Sequence, residues 1–232
     1  MPTDAAPLGT PVLILNLKAY PNAVGAGAER IGRDLERLGA AAGVSVALAP
    51  AAPDLALLAR HLSLPILAQH TDPEAAGART GSIIAESVAA SGARGSLVNH
   101  SERSLEVAQI SAVVHRLTSL GLVPVVCAPT VAAARRLAAL RPPYLAVEPP
   151  ELIGGDRSVS TARPEVVERA VTAVRGVSPG THVLCGAGVH DRHDVAKALE
   201  LGSEGILVAS AVTKAANPAA AIRELLRGYR RR

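Results

Sequence analysis

Three side chains in this sequence have the types and settings that proton-transfer chemistry needs: Lys18 in LNLKAYP, His100 in SLVNHSERS and Glu148 in YLAVEPPELIGGDRSVS. The chain uses Arg 21 times and Lys three times, so arginine is its default cation. A lysine after an apolar run then suggests a compact ammonium beside a reacting oxygen, against the plainer reading of a solvated loop lysine. His100 is expected to open a helix starting at Ser101 or just after, where the positive end of the helix dipole disfavours imidazolium. A neutral ring can donate to a carbonyl oxygen; the plainer reading is a core histidine satisfied by backbone. Glu148 follows four apolar residues and precedes two prolines, so a stiff segment holds it at the edge of the core, where partial desolvation lifts its pKa toward that of a useful general base. Glu102 and Arg103, next to His100, are first-turn helix charges on the plainer reading.

These residues lie far apart in sequence, and the elements between them decide whether they meet. Short apolar runs recur at 12–17, 44–49, 64–68, 95–98, 122–126, 144–147, 182–184 and 205–208, each short enough for a fully buried strand. Segments with helical spacing, such as 29–38 and 131–140, separate them, and no long linker divides the chain. Eight strand–helix alternations in 232 residues predict one domain over 1–232, a closed (β/α)8 barrel of parallel strands, with 1–10 and 228–232 as flexible tails. A closed barrel leaves no exposed edge and places its active site at the carboxyl ends of the strands. The residues ending each run include Asn16, Lys18, Gln69, Asn99, His100, Cys127, Glu148, Gly186, Gly188 and Ser210.

The last two strand ends, Cys185-Gly186-Ala187-Gly188 and Val208-Ala209-Ser210-Ala211, stand where barrels often hold phosphate through loop N–H groups, although any tight strand–helix turn also favours glycine. Pro149-Pro150 and Gly154-Gly155 bracket Glu151-Leu152-Ile153, the pattern of a hinged lid. His190-Asp191-Arg192-His193-Asp194 looks metal-like but lacks H-E-x-x-H spacing, and Asp191 reads better as a helix cap.

Composition narrows the function classes. Aromatics are 1% of residues, so there is no stacking platform for single-stranded nucleic acid, and the net charge of +4 comes partly from the C-terminal arginines. An acidic small substrate suits this charge better. The two cysteines, Cys127 and Cys185, lack C-x-x-C spacing and read as small core residues in a reducing compartment. With no signal-peptide pattern and no apolar stretch near the ~20 residues a bilayer requires, a soluble, cytoplasmic protein is expected.

In combination these motifs resemble the triosephosphate isomerase family, specifically its shorter, archaeal-type branch, over residues 11–225. The resemblance rests on Asn16-Leu17-Lys18, Ala68-Gln69, Asn99-His100-Ser101-Glu102, and the stretches VEPPELIG and LCGAG at 147–154 and 184–188. It implies that Glu148 moves a proton between adjacent carbons, that neutral His100 polarises the carbonyl, and that Lys18, aided by Asn16, stabilises an enediolate. Glu102 becomes the carboxylate that organises Lys18 and the histidine loop. Gly155, Gly186, Ala187, Gly188, Ala209 and Ser210 become the phosphate-binding set. The resemblance further implies no cofactor or metal, a phosphorylated sugar substrate, and a homodimer or homotetramer formed through the loop around Thr80. Two departures stand out: Asp156 puts a carboxylate near the phosphate site, and Ala211 is expected to narrow the phosphate pocket with a methyl group. They motivate a rival reading, an isomerase of another small sugar phosphate such as a tetrulose phosphate; a non-catalytic phosphate-binding barrel is a rival of another class.

Overall fold

The computed structural model of the chain describes residues 8–149 and 158–229. Among them the apolar runs form eight parallel strands: β1 (Val12–Asn16), β2 (Ser45–Ala49), β3 (Leu67–Ala68), β4 (Gly95–Val98), β5 (Val123–Ala128), β6 (Tyr144–Val147), β7 (His182–Cys185) and β8 (Gly205–Val208). They pair in the order 2-1-8-7-6-5-4-3, and a bridge between Leu48 and Ile66 joins the two ends. The Leu48 N–H donates to the Pro65 carbonyl at 3.0 Å across that seam. This is the expected (β/α)8 barrel.

The helices in chain order are α1 (Ala26–Ala42), α2 (Leu55–His61), α3 (Ala85–Ala90), α4 (Val107–Ser119), α5 (Val131–Ala138), α6 (Val159–Ala162), α7 (Pro164–Arg175), α8 (Arg192–Glu200), α9 (Ser210–Thr213) and α10 (Pro218–Arg227). On α1, Ile31, Leu35 and Leu38 recur at helical spacing and are buried, while Arg30, Arg33 and Arg37 are exposed. Gly43 ends that helix in the left-handed region at φ 67°.

Successive side chains of a strand point to opposite faces, and this divides the apolar residues into two cores. Val12 and Ile14 of β1 point into the barrel with Leu67, Leu97, Val125, Leu184 and Leu207. Leu13 and Leu15 point outward and pack with the helices. Inside the barrel, Tyr144 supplies the bulk that the aliphatic residues lack, and its ring lies 5.2 Å from that of His182.

Several boundaries differ from those expected. The third strand has only two paired residues, with Pro65, which has no N–H to give a ladder, just before it. Leu8 and Tyr229 fall within the stretches read as tails, yet Leu8 is buried in the inner core and the Tyr229 hydroxyl donates to the Val12 carbonyl at 2.8 Å. The largest difference follows β4. Instead of a helix at 101, residues 101–103 make a single 3-10 turn, Ser104 and Glu106 are extended, and α4 begins at Val107. The Asn99 carboxamide imposes this path, because its Oδ1 accepts from the Leu105 N–H at 2.9 Å.

Candidate active site

Lys18 lies two residues past the end of β1 and sits in the left-handed region at φ 52°, a conformation that strains a residue with a Cβ. Both of its backbone polar groups are held by side chains. The Asn16 Oδ1 accepts from the Lys18 N–H at 3.0 Å, and the Gln69 Nε2 donates to the Lys18 carbonyl at 3.0 Å and to the Ala49 carbonyl at 2.9 Å. Asn16, 4% exposed at the end of β1, and Gln69, just past β3, therefore set the direction in which the lysine leaves the barrel. Its Nζ pairs with the Glu102 carboxylate at 2.7 Å.

Asn99 also has positive φ, 62°, and its Nδ2 donates to the Cys127 carbonyl at 2.9 Å. That bond ties the end of β4 to β5 and aims the next residue inward. His100 is 6% exposed, and its Nδ1 accepts the Glu102 N–H at 3.2 Å as the cap of the 3-10 turn. An imidazole nitrogen that accepts a backbone N–H carries no proton, so the neutral tautomer has its proton on Nε2. Burial, reinforced by the Lys18 charge, holds the His100 pKa below its ordinary value. The ring is neutral as expected, but its cause is desolvation and a cap, since a three-residue turn brings little helix dipole.

Glu148 leaves the end of β6 into the same space, with its N–H bonded to the Ala128 carbonyl at 2.9 Å. It is 3% exposed, and its Oε2 is buried with no hydrogen-bond partner among the described residues. Burial pushes its pKa up to about 7, with the neighbouring Cys127 thiol and the Lys18 ammonium acting the other way. Its Oε1 lies 3.7 Å from His100 Nε2. Gly186 makes this placement possible: a Cβ there would stand 2.5 Å from Glu148 Cγ.

One cleft at the carboxyl ends of the strands is lined by Asn16, Lys18, His100 and Glu148 together with Gly186, Gly188, Ala209 and Ser210. Thus four of the five expected catalytic residues share a cleft with four of the expected phosphate-binding residues. The fifth, Glu102, is more than half exposed and borders the adjoining cavity beside Lys18. Ala187 is buried, and its carbonyl accepts the Val159 N–H at 3.1 Å. Ala211 packs on the outer core and does not line the cleft, because α9 turns it toward the helix layer. Gly155, Asp156 and the proposed lid from residue 150 onward lie outside the described residues.

A model of the family described as triosephosphate isomerase matches residues 11–225. The chain belongs to the triosephosphate isomerase family. It is 44% identical over 216 residues to the triosephosphate isomerase of Methanothermus fervidus, covering 93% of this chain and 97% of that one. It is 46% identical over 216 residues to that of Cenarchaeum symbiosum, covering 93% and 96%, and 43% identical over 220 residues to that of Methanosarcina acetivorans, covering 95% and 99%. The family match spans every residue of the cleft.

Three residues carry more of the site than the sequence reading gave them. Gln69 and Asn99 were recognisable as polar residues at strand ends, but their work of holding Lys18 and turning the chain after β4 depends on neighbours far away in sequence. Cys127, read as a core residue, is buried against the Glu148 carboxylate, which together with burial drives its thiol pKa well up. Asp191 caps α8 as expected, its Oδ1 accepting from the His193 and Asp194 N–H groups.

Proposed function

We propose that this chain is a triosephosphate isomerase, interconverting D-glyceraldehyde 3-phosphate and dihydroxyacetone phosphate through an enediolate. Membership of the family and curated relatives of that name at 43–46% identity over nearly the whole chain support the three-carbon reaction over the tetrulose alternative. The observation that carries the chemistry is a buried carboxylate with a pKa of about 7, 3.7 Å from a neutral imidazole nitrogen that bears a proton.

In the forward direction Glu148 takes the proton from carbon 2, and the electron pair moves toward the carbonyl oxygen on carbon 1. His100 Nε2–H donates to the developing oxyanion, and Lys18 Nζ, paired with Glu102 while Asn16 holds the lysine's backbone N–H, supplies the positive charge that stabilises it. Glu148 then returns a proton to carbon 1 while His100 carries the hydroxyl proton from oxygen 2 to oxygen 1. One C–H and one O–H have changed places within a single molecule, so no redox cofactor is required. The phosphate is assigned to the part of the cleft at Gly188 and Ser210, where backbone N–H groups take the dianion, with Gly155 from outside the described residues.

Self-association belongs to the same reading. The loop around Thr80 is exposed, and Asp72 pins its base by accepting the Ile83 N–H at 2.7 Å. A cavity beside Lys18, Gln69 and Glu102 faces outward and is the candidate seat for that loop from a second copy. The cytoplasm is the assigned compartment, supported by two buried free thiols; among the described residues no helix is long and apolar enough to cross a membrane.

The test is turnover of glyceraldehyde 3-phosphate in an assay coupled to NADH oxidation, with identically prepared Glu148→Gln as control for contaminating isomerase. Fast turnover that disappears in the variant supports the assignment; equal activity in both proteins overturns it.

A further inference from the structure

Asp194, in the first turn of α8, is 8% exposed. Capping does not account for it, since Asp191 already supplies the cap. Its polar atoms instead join the 186–190 loop, which borders the cleft, to residues 158–161. Oδ2 accepts the His190 N–H at 2.9 Å, at the end of the loop that contains Gly186 and Gly188. Oδ1 accepts the Thr161 hydroxyl at 3.2 Å, and the Asp194 carbonyl accepts the Ser160 hydroxyl at 2.9 Å. Ser160 is fully buried, and its Oγ lies 2.9 Å from Ser158 Oγ. Between these ties the Val159 N–H reaches the Ala187 carbonyl, so residues 158–161 and 186–190 form one hydrogen-bonded unit with Asp194 at its centre.

We propose that Asp194 is a positioning residue that fixes the 186–190 loop so that its backbone N–H groups meet the substrate's phosphate; this rests on the isomerase reading given above. Two donors from separate segments converge on one point, and a carboxylate, acceptor-only with two oxygens, satisfies both at once. Asparagine preserves most of this arrangement. Its Oδ1 keeps the His190 N–H, and its Nδ2 donates to Thr161 Oγ1, whose proton is then free for the Ser158 carbonyl, 3.4 Å away. Alanine releases both segments.

The experiment compares Asp194→Ala and Asp194→Asn with the wild type in KM and kcat for glyceraldehyde 3-phosphate and in the rise of Tm caused by inorganic phosphate. Asp194→Ala is expected to raise KM about tenfold, the equivalent of one or two lost hydrogen bonds, with kcat changed far less and the phosphate-induced rise in Tm reduced. Asp194→Asn recovers most of both. A lower Tm with KM and phosphate response unchanged overturns the proposal, because that is what a purely structural residue gives. Should Asp194→Ala fail to fold, Ser160→Ala removes one tie and is expected to raise KM about threefold; an unchanged KM overturns the proposal. Should the wild type not turn over the substrate, the isomerase reading falls by itself. The phosphate effect on Tm then decides on Asp194: loss in the alanine variant and recovery in the asparagine variant support it, and equal responses in all three overturn it.

Discussion

Glu148 is the residue where stability and reactivity oppose each other. Its pKa rises from 4.5 in the unfolded chain to about 7 in the fold, so the folded state binds more protons than the unfolded one between these values. Stability conferred by the protonated form is therefore present below pH 4.5 and is lost as pH rises toward 7, at a total cost of about 3 kcal/mol. Glu148→Gln cannot ionise, so it is expected to melt above the wild type at pH 8 and to lose this advantage by pH 4.5; calorimetry across that range checks it. Activity runs the other way. Because the proposed base, Glu148, must be ionised to act, kcat/KM is expected to fall about tenfold per unit as pH drops below about 7, and Glu148→Gln is expected to lose about 10²- to 10⁴-fold in kcat. His100 follows a different rule: its pKa is lowered by burial, so the ring stays neutral where the base is active. The types of these residues were legible in the sequence. The tautomer of His100 was not, because it depends on the turn that replaced the expected helix.

Strand ends deliver the chemistry, and the joints between them decide its precision. Lys18 and Asn99 both take positive φ; the Gln69 carboxamide holds the Lys18 carbonyl, and the Asn99 carboxamide ties its own residue to the Cys127 carbonyl of β5. Gly186 is the complementary device, an absence of side chain that lets Glu148 occupy the space next to β7. Gly186→Ala is expected to displace Glu148, lowering kcat and costing about 1–3 kcal/mol of stability; steady-state kinetics and thermal melts check both. Gln69→Ala removes the bonds to the Lys18 and Ala49 carbonyls and is expected to lower kcat several-fold while KM moves less, measurable in the same assay. The alternation of apolar runs predicted these strands well, since fully buried parallel strands read as short continuous apolar segments. The start of α4 was misplaced because one side-chain bond, Asn99 to Leu105, bends the chain before the helical pattern can take hold.

Closure of the barrel turns distant motifs into one site, and two apolar cores make closure stable with almost no aromatic residues. The inner core is filled by Val, Leu, Ala, Ile14, Cys127 and one tyrosine, and the carboxyl ends of the strands around it line one cleft. The barrel could be read from eight alternations and chain length. Its rim could not, since the packing of Leu8 and Tyr229 depends on neighbours far from them in sequence. If the loop around Thr80 seats in a second copy, sedimentation velocity of the wild type gives a dimer or tetramer, and Thr80→Arg gives a smaller species with reduced turnover. The proton path can be followed without reference to assembly. With glyceraldehyde 3-phosphate in D2O, proton NMR of the product is the most direct test that Glu148 carries a proton between carbons. Carbon-bound deuterium in dihydroxyacetone phosphate made by the wild type, with its formation slowed about 10²- to 10⁴-fold in Glu148→Gln, is the predicted result. Isomerisation at an equal rate in the variant would contradict it.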